Sequence, residues 1–294
     1  MTDWRPSGVV SVLPTAFNDD GTLDDEGIAA LVQAHISAGV SGLTVLGVMG
    51  EAAELTEDER AQVVATVGVA AGELPIVLGI SASSASAIAD RAVAASAAGA
   101  RAVMVSASTS VAAGHAVRAA ARGGLPIVVQ DYPAGSGVVL SAADLAAVAR
   151  EEPLVVGIKA EAPPTSSAIA ELGRLIPGLA VVGGLGGLFL PDELRAGAAG
   201  TMTGFALPER LVAIVEMFPG DPDGAEACWT QVLPLMRLEA FPPFSLAARK
   251  EVWRLRGVIR SARCRRAGAV LDRTGAEDVR RALERARAAG FSST

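Results

Sequence analysis

The sequence predicts an α/β fold, a (β/α)8 TIM barrel with a C-terminal helical extension, on three observations. Apolar, β-branched runs recur eight times, at 9–13, 43–47, 75–80, 102–106, 126–130, 154–159, 179–183 and 200–204. They are continuous rather than alternating, as in strands buried on both faces of a parallel sheet. Ala-rich segments of helical period lie between them. A doubly wound open sheet is the alternative, but eight repeats with no G-x-G-x-x-G after the first strand favour the barrel.

Each element has a local reason. A turn at 18–21 follows the first run and leads into a helix over 23–38. Thr56 with Glu59 three residues on is a capping-box pattern that opens a helix over 56–69. Ser84 and Ser141 stand at cap positions before helices over 84–98 and 141–150. Gly39, Gly72, Gly99 and Gly123 fall where helices should stop. From about Phe218 the pattern changes to helical stretches over 225–239, 245–259 and 276–289 with no strand between them. The expected organisation is a barrel over 1–217 and a helical extension over 218–294 packed on it.

Composition narrows the partners. The net charge is −7 with no basic block, which argues against nucleic acid, where Lys and Arg must neutralise phosphates. No apolar run approaches the roughly 20 residues of a membrane span. The start, MTDWRPSG, has no signal-like stretch, and Cys228 and Cys264 form no disulfide framework. A reducing, cytoplasmic location is the expectation. His35 and His115 fall in helical stretches, read as surface residues, and have no clustered carboxylates beside them, so no zinc site is expected. Of the 25 basic residues only Lys159 and Lys250 are lysines, so lysine chemistry has two possible positions.

Lys159 ends the run LVVGIK with no charge in the five residues before it. That places it at the C-terminal mouth of the sixth strand, where barrel enzymes keep their active sites. An ammonium beside apolar walls loses hydration, which favours the neutral amine, and a neutral amine attacks a carbonyl to form a Schiff base. A lysine snorkelling from a strand end fits the spacing equally well. Lys250, in ARKEVWRLRG, reads as a solvated helix lysine. The segment GVMGEAAELTEDER after the second strand has glycines suited to a tight loop whose N–H groups face a carboxylate. Its acids fit the charged first turn of a helix. Gln130 and Tyr132, in VVQDYP, share one strand face if the chain stays extended. Tyr132 is the only tyrosine; proton transfer and plain packing both fit it. Glu161, two residues past Lys159, reads either as a proton-moving partner or as a rim carboxylate. The glycines around Gly183 allow close backbone approach to a ligand, a weak signal alone.

Together these segments resemble the pyruvate-dependent class I aldolases and dehydratases typified by dihydrodipicolinate synthase and N-acetylneuraminate lyase. LPTAFNDDGTLD resembles that family's first strand and loop, GVMGE its G-T-T-G-E signature, VVGIK its Schiff-base strand, AGAAGTMTG its last strand and ARKEVWRLRG its C-terminal helix. The resemblance implies a Schiff base on Lys159 and substrate contacts at Val48, Met49, Gly50 and the Met202 carbonyl. It also implies a homo-oligomer, a tetramer of paired dimers or a dimer. No metal or separate organic cofactor is implied, because the imine is itself the electron sink.

The departures redirect the chemistry. The signature's threonines fall on Val48 and Met49, its catalytic tyrosine on Gln130 and the arginine after its proline on Gly135. Its tyrosine pair after the fourth strand falls in SASTS. VQDYP and IKAE instead resemble the V-Q-D-x-P and K-x-E patterns of members that dehydrate 2-keto-3-deoxy sugar acids. The expectation is a Schiff-base lyase, dehydratase or aldolase, whose small-molecule partner is a 2-oxo acid of that class. Lys159, Gln130 and Glu161 are expected to be catalytic, with Val48, Met49, Gly50, Tyr132, Gly183 and Met202 binding substrate. 4-Hydroxy-tetrahydrodipicolinate synthase activity and a non-catalytic keto-acid-binding homologue are the alternatives.

Overall fold

Strand parity sorts the side chains into two cores. The computed structural model describes residues 4–109, 111–240 and 244–288. Its strands are β1 (Gly8–Val12), β2 (Gly42–Val45), β3 (Ile76–Gly79), β4 (Ala102–Ser106), β5 (Ile127–Asp131), β6 (Val155–Ala160), β7 (Ala180–Val182) and β8 (Gly200–Thr203). All named pairings are parallel, in the order β7-β6-β5-β4-β3-β2-β1-β8. A bridge between Gly183 and Thr201 joins β7 to β8 and closes the barrel. Val10, Val12, Val77, Ala102, Met104, Val128, Val182 and Met202 pack together inside it. Their alternate strand neighbours, such as Val9, Leu78, Val103, Val105 and Ile127, pack outward in the larger core shared with the helices.

The helices are α1 (Asp25–Ser37), α2 (Glu57–Ala71), α3 (Ala85–Ala97), α4 (Ala113–Ala120), α5 (Pro133–Ser136), α6 (Ala142–Glu151), α7 (Thr165–Leu175), α8 (Leu190–Arg195), α9 (Pro208–Met217), α10 (Pro222–Ala240), α11 (Phe244–Leu255) and α12 (Arg273–Ala288). The expected caps form: Thr56 and Glu59 close a full capping box, Ser141 pairs with Asp144 likewise, and Ser84 accepts from the Ala87 N–H. The helix-stop glycine after α4 is Gly124, at φ 67°, rather than Gly123, which belongs to a 3-10 turn continuing the helix. The helix expected over 245–259 ends early. Gly257 turns left-handed at φ 75°, and Val258 donates back to the Trp253 carbonyl. The chain from 256 to 272 then runs without regular structure to α12. Residue 289, the expected end of the last helix, lies outside the described residues.

Two single-residue expectations fail. His35 is a core residue of α1: its ring lies against Trp253 at 4.9 Å, tilted by 40°, and Nδ1 lies 2.6 Å from the Leu31 carbonyl. Burial pulls it down to about 4, so it is neutral in the fold. His115 is exposed as expected. Lys250 is not solvated but fully buried on α11. Helical period alone could not show this, because the face that covers it comes from the β2 loop and the irregular 256–272 segment.

Candidate active site

The inward row of β5 and β6 carries the chemistry to the barrel mouth. Val128 pairs in register with Gly157 and Gln130 with Lys159, so Gln130 and Lys159 continue the interior row one step further out. The pairing extends past β6, where the Glu161 N–H donates to the Asp131 carbonyl at 2.9 Å. Glu161 therefore faces the same way as Lys159. Its Oε2 lies 3.1 Å from Lys159 Nζ and accepts from Gln130 Nε2 at 2.7 Å. The Leu185 N–H donates to its Oε1 at 3.2 Å. The Lys159 and Glu161 side chains are only 6% and 7% exposed, so the pair is shielded from screening. A Cβ on Gly184 would stand 2.3 Å from Glu161 Oε1, so any side chain at 184 would expel the carboxylate. Leu46, Glu51 and Leu185 hold left-handed φ values of 58°, 53° and 49°, all in loops of this mouth. Backbone strain of this kind persists where surrounding structure over-determines it.

The β2 loop supplies backbone donors. A 3-10 turn, Val48–Gly50, uses the Gly50 N–H on the Gly47 carbonyl at 3.0 Å and the Glu51 N–H on Val48 at 3.2 Å. Its first amides, those of Val48 and Met49, have no acceptor among the described residues, and both residues line the cavity. Gly50 does not line the cavity. Its carbonyl accepts from Thr15 Oγ1 at 2.7 Å, and its Cβ position lies 3.3 Å from the Leu13 carbonyl.

Glu51 is a clasp rather than a first-turn acid. Fully buried, it pairs with Lys250 and accepts the N–H groups of Arg265 and Arg266 at 2.6 and 2.7 Å. Lys250 also donates to the Arg263 carbonyl at 2.8 Å and stands 4.3 Å over the Phe17 ring. Next to it, Arg265 grips Glu59 with two hydrogen bonds and pulls that carboxyl down to about 2. The C-terminal segment thus fixes the loop that carries Val48 and Met49. Breaking one partner of a buried pair costs about 3–5 kcal/mol. Lys250→Met is expected to lower unfolding free energy by about that much in urea titrations, and Lys250→Met with Glu51→Gln to recover part of it.

The cavity at this mouth encloses about 110 Å³ and is lined by Lys159, Glu161, Gln130, Tyr132, Val48 and Met49, with Met104, Leu185, Gly186, Thr203, Gly204, Glu239, Arg249 and Arg266 around them. Tyr132 is half-buried. Burial, and then the charge of Glu161, pushes its phenol above the usual value. A Cβ on Gly135 would stand 2.4 Å from the Tyr132 ring, so the ring fills the space beside the position where the resemblance expects arginine. Gly183 is not among the residues lining this cavity. Its Cβ position lies 1.8 Å from Oε2 of Glu193, so it makes room for that buried carboxyl, which burial pushes up to about 7. Asp131 is raised to about 6 by burial and then by Glu161. The Met202 side chain packs in the barrel interior, and β8 meets the cavity through Thr203, followed by Gly204 just past the strand.

Arg249 and Glu239 went unread in the sequence. Arg249 is on α11 and nearly buried; its Nε donates to Glu239 Oε2 at 3.1 Å, and its Nη1 rests against the Met49 sulfur. Glu239, on α10, is fully buried and pushed up to about 7 by burial against the pull of Arg249. Both come from the extension, so only the tertiary fold brings them to Lys159. Among the described residues no helix is long and apolar enough to cross a membrane, and no group of three or more His, Cys, Asp or Glu is placed to hold a metal.

Comparison with known proteins agrees with this geometry. The family model described as "Dihydrodipicolinate synthetase family" matches residues 5–286. The L-2-keto-3-deoxyarabonate dehydratase of Azospirillum brasilense is 36% identical over 275 residues, covering 89% of this chain and 88% of that protein. The 4-hydroxy-tetrahydrodipicolinate synthase of Sorangium cellulosum is 31% identical over 274 residues, covering 88% and 91%. The crystal structure of dihydrodipicolinate synthase from Rhodopseudomonas palustris superposes with a TM-score of 0.90 at 32% identity, covering 95% of this chain and 97% of that one. Over nearly its whole length, then, the chain belongs to the dihydrodipicolinate synthetase family, lyases that act through a Schiff base.

Proposed function

We propose that this enzyme dehydrates a 2-keto-3-deoxy sugar acid on a Lys159 imine. One observation carries the reading: a single carboxylate oxygen, Oε2 of Glu161, pairs with Lys159 Nζ at 3.1 Å and accepts from Gln130 Nε2 at 2.7 Å. Glu161 takes a proton from Lys159, and the amine attacks the C2 carbonyl, which leaves as water. The amides of Val48 and Met49 hold the C1 carboxylate. The iminium acidifies C3, and Glu161 is within reach of that proton. The same carboxyl returns it to the departing C4 hydroxyl, and hydrolysis frees Lys159. Gln130 orients Glu161 and substrate, because an amide is no useful general acid or base. Aldol cleavage needs a base for the C4 hydroxyl proton, and Gln130 stands where the family places its tyrosine. The likeness to a keto-deoxy sugar acid dehydratase supports dehydration. A barrel over 1–217, a homo-oligomeric tetramer or dimer and a cytoplasmic location complete the reading.

The test is a panel of 2-keto-3-deoxy-pentonates and hexonates followed by product mass. Loss of water is the expected result. Pyruvate plus an aldehyde as main products would overturn it and move the proton chemistry to Tyr132. Consumption of none would favour a binding protein without turnover. Pyruvate with aspartate semialdehyde is expected to be a poor pair, down about 10²–10⁴-fold in kcat/KM for want of the tyrosine's proton transfer. A value within tenfold of the roughly 10⁴–10⁸ M⁻¹s⁻¹ common among enzymes would instead support the synthase.

A further inference from the structure

We infer that Arg249 reads the far end of the substrate, and that the group it reads is a hydroxyl rather than a second carboxylate. The inference rests on the proposed function and narrows its substrate class to monocarboxylic keto-deoxy acids.

The geometry runs along one wall. Glu161, beside C3, accepts the Leu185 N–H. The next residue, Gly186, donates to Thr203 Oγ1 at 2.7 Å and is thereby fixed. A Cβ on Gly186 would stand 3.4 Å from Nη2 of Arg249. Arg249 therefore lies one step beyond Glu161 on the same side of the cavity, where C4 and C5 of a chain bound at Lys159 would pass. Its Nε is committed to Glu239, and its Nη1 faces only the thioether of Met49, a weak acceptor. Nη2 donates to nothing among the described residues, and the side chain borders the cavity. A nearly buried guanidinium held on one edge and free on the other is set up to donate to an oxygen of a ligand.

Charge decides which oxygen. Lys159 faces Glu161, and Arg249 faces Glu239. Both acids border the same cavity, and the third cation there, Arg266, lies 3.9 Å from Glu54 and donates to the Val48 carbonyl at 3.0 Å, on the β2-loop side. The C1 carboxylate meets the β2-loop amides and Arg266, which Glu54 only partly neutralises; a second carboxylate would enter beside Glu239 and Glu161 without a counter-charge. A hydroxyl accepts from Nη2 with no such cost. The Met49 contact also brings Arg249 near the β2 loop, so the experiment must separate a role at C1 from a role at the far end.

Pyruvate, which has C1 but no distal oxygen, makes that separation. At pH 8, above the value of about 7 to which burial pushes Glu239, wild-type protein is expected to consume a 2-keto-3-deoxy monoacid at least about tenfold better in kcat/KM than the diacid of equal carbon number. Arg249→Met should lose about 10–100-fold on the monoacid, as for a lost hydrogen bond to a charged donor, chiefly in KM. Borohydride trapping of pyruvate on Lys159 should change by less than about threefold. Glu239→Gln, which removes the balancing charge, should shift preference toward the diacid. An equal or better rate with the diacid overturns the inference, as does an Arg249→Met loss that is the same for pyruvate trapping. So does turnover of neither acid by wild-type protein that still traps pyruvate. Failure of wild-type protein to trap any 2-oxo acid on Lys159 would instead defeat the proposed function itself.

Discussion

Lys159→Ala is expected to abolish both the borohydride-trapped adduct and turnover. Removing a covalent nucleophile can cost on the order of 10⁶-fold in kcat, and Lys250 offers no substitute. That second lysine is fully buried, held by Glu51 and the Arg263 carbonyl, outside the cavity wall. Reduction with pyruvate or a longer 2-oxo acid should leave one mass adduct, on the peptide containing Lys159. Lys159→Arg should be as inactive, because a guanidinium stays protonated and cannot attack a carbonyl. Both variants keep Glu161 partnered by Gln130 and the Leu185 N–H. Thermal unfolding will show whether the fold survives, so lost chemistry can be told from lost structure. An adduct that persists in Lys159→Ala, or that maps to Lys250, would refute the assignment.

The placement of Lys159 was legible because strand parity is short-range. LVVGIK shows a buried run ending in a cation, and the inward row of Val128, Gly157, Gln130 and Lys159 follows from period two once register is set. The same logic put Glu161 two residues on, on the same face. Gly183 and Gly50 are less legible for a related reason. Glycine marks a close approach without saying what approaches, and here the neighbours are Glu193 and the Leu13 carbonyl rather than a ligand. His35, Lys250 and Arg249 were illegible because each is covered by a segment far away in sequence. Trp253 covers His35; Glu51, about 200 residues away, covers Lys250; Met49 and Glu239 frame Arg249. A polar residue on a helix reads as solvated until the fold brings its partner.

Glu161→Gln is expected to separate imine formation from the steps that follow it. The substitution keeps the shape, and its amide oxygen can still accept the Leu185 N–H. Facing it, Gln130 can turn its own amide to present oxygen. Lys159 loses its counter-charge within a nearly closed site, which favours the neutral amine that attacks C2. Trapping with pyruvate should therefore persist. What disappears is the group that takes the C3 proton and returns it to the leaving hydroxyl, and loss of one positioned acid–base group costs about 10²–10⁴-fold. Two readouts follow. Loss of water from a 2-keto-3-deoxy acid should fall by that factor in kcat with little change in KM. Exchange of the pyruvate methyl protons with solvent deuterium, which needs only the imine and the C3 base, should slow in parallel. If exchange and dehydration both stay within about threefold of wild type, Glu161 serves as an electrostatic brace for Lys159 alone. The proton then passes through another group at the mouth, and Tyr132, whose phenol is close enough to feel the charge of Glu161, is the side chain to replace next.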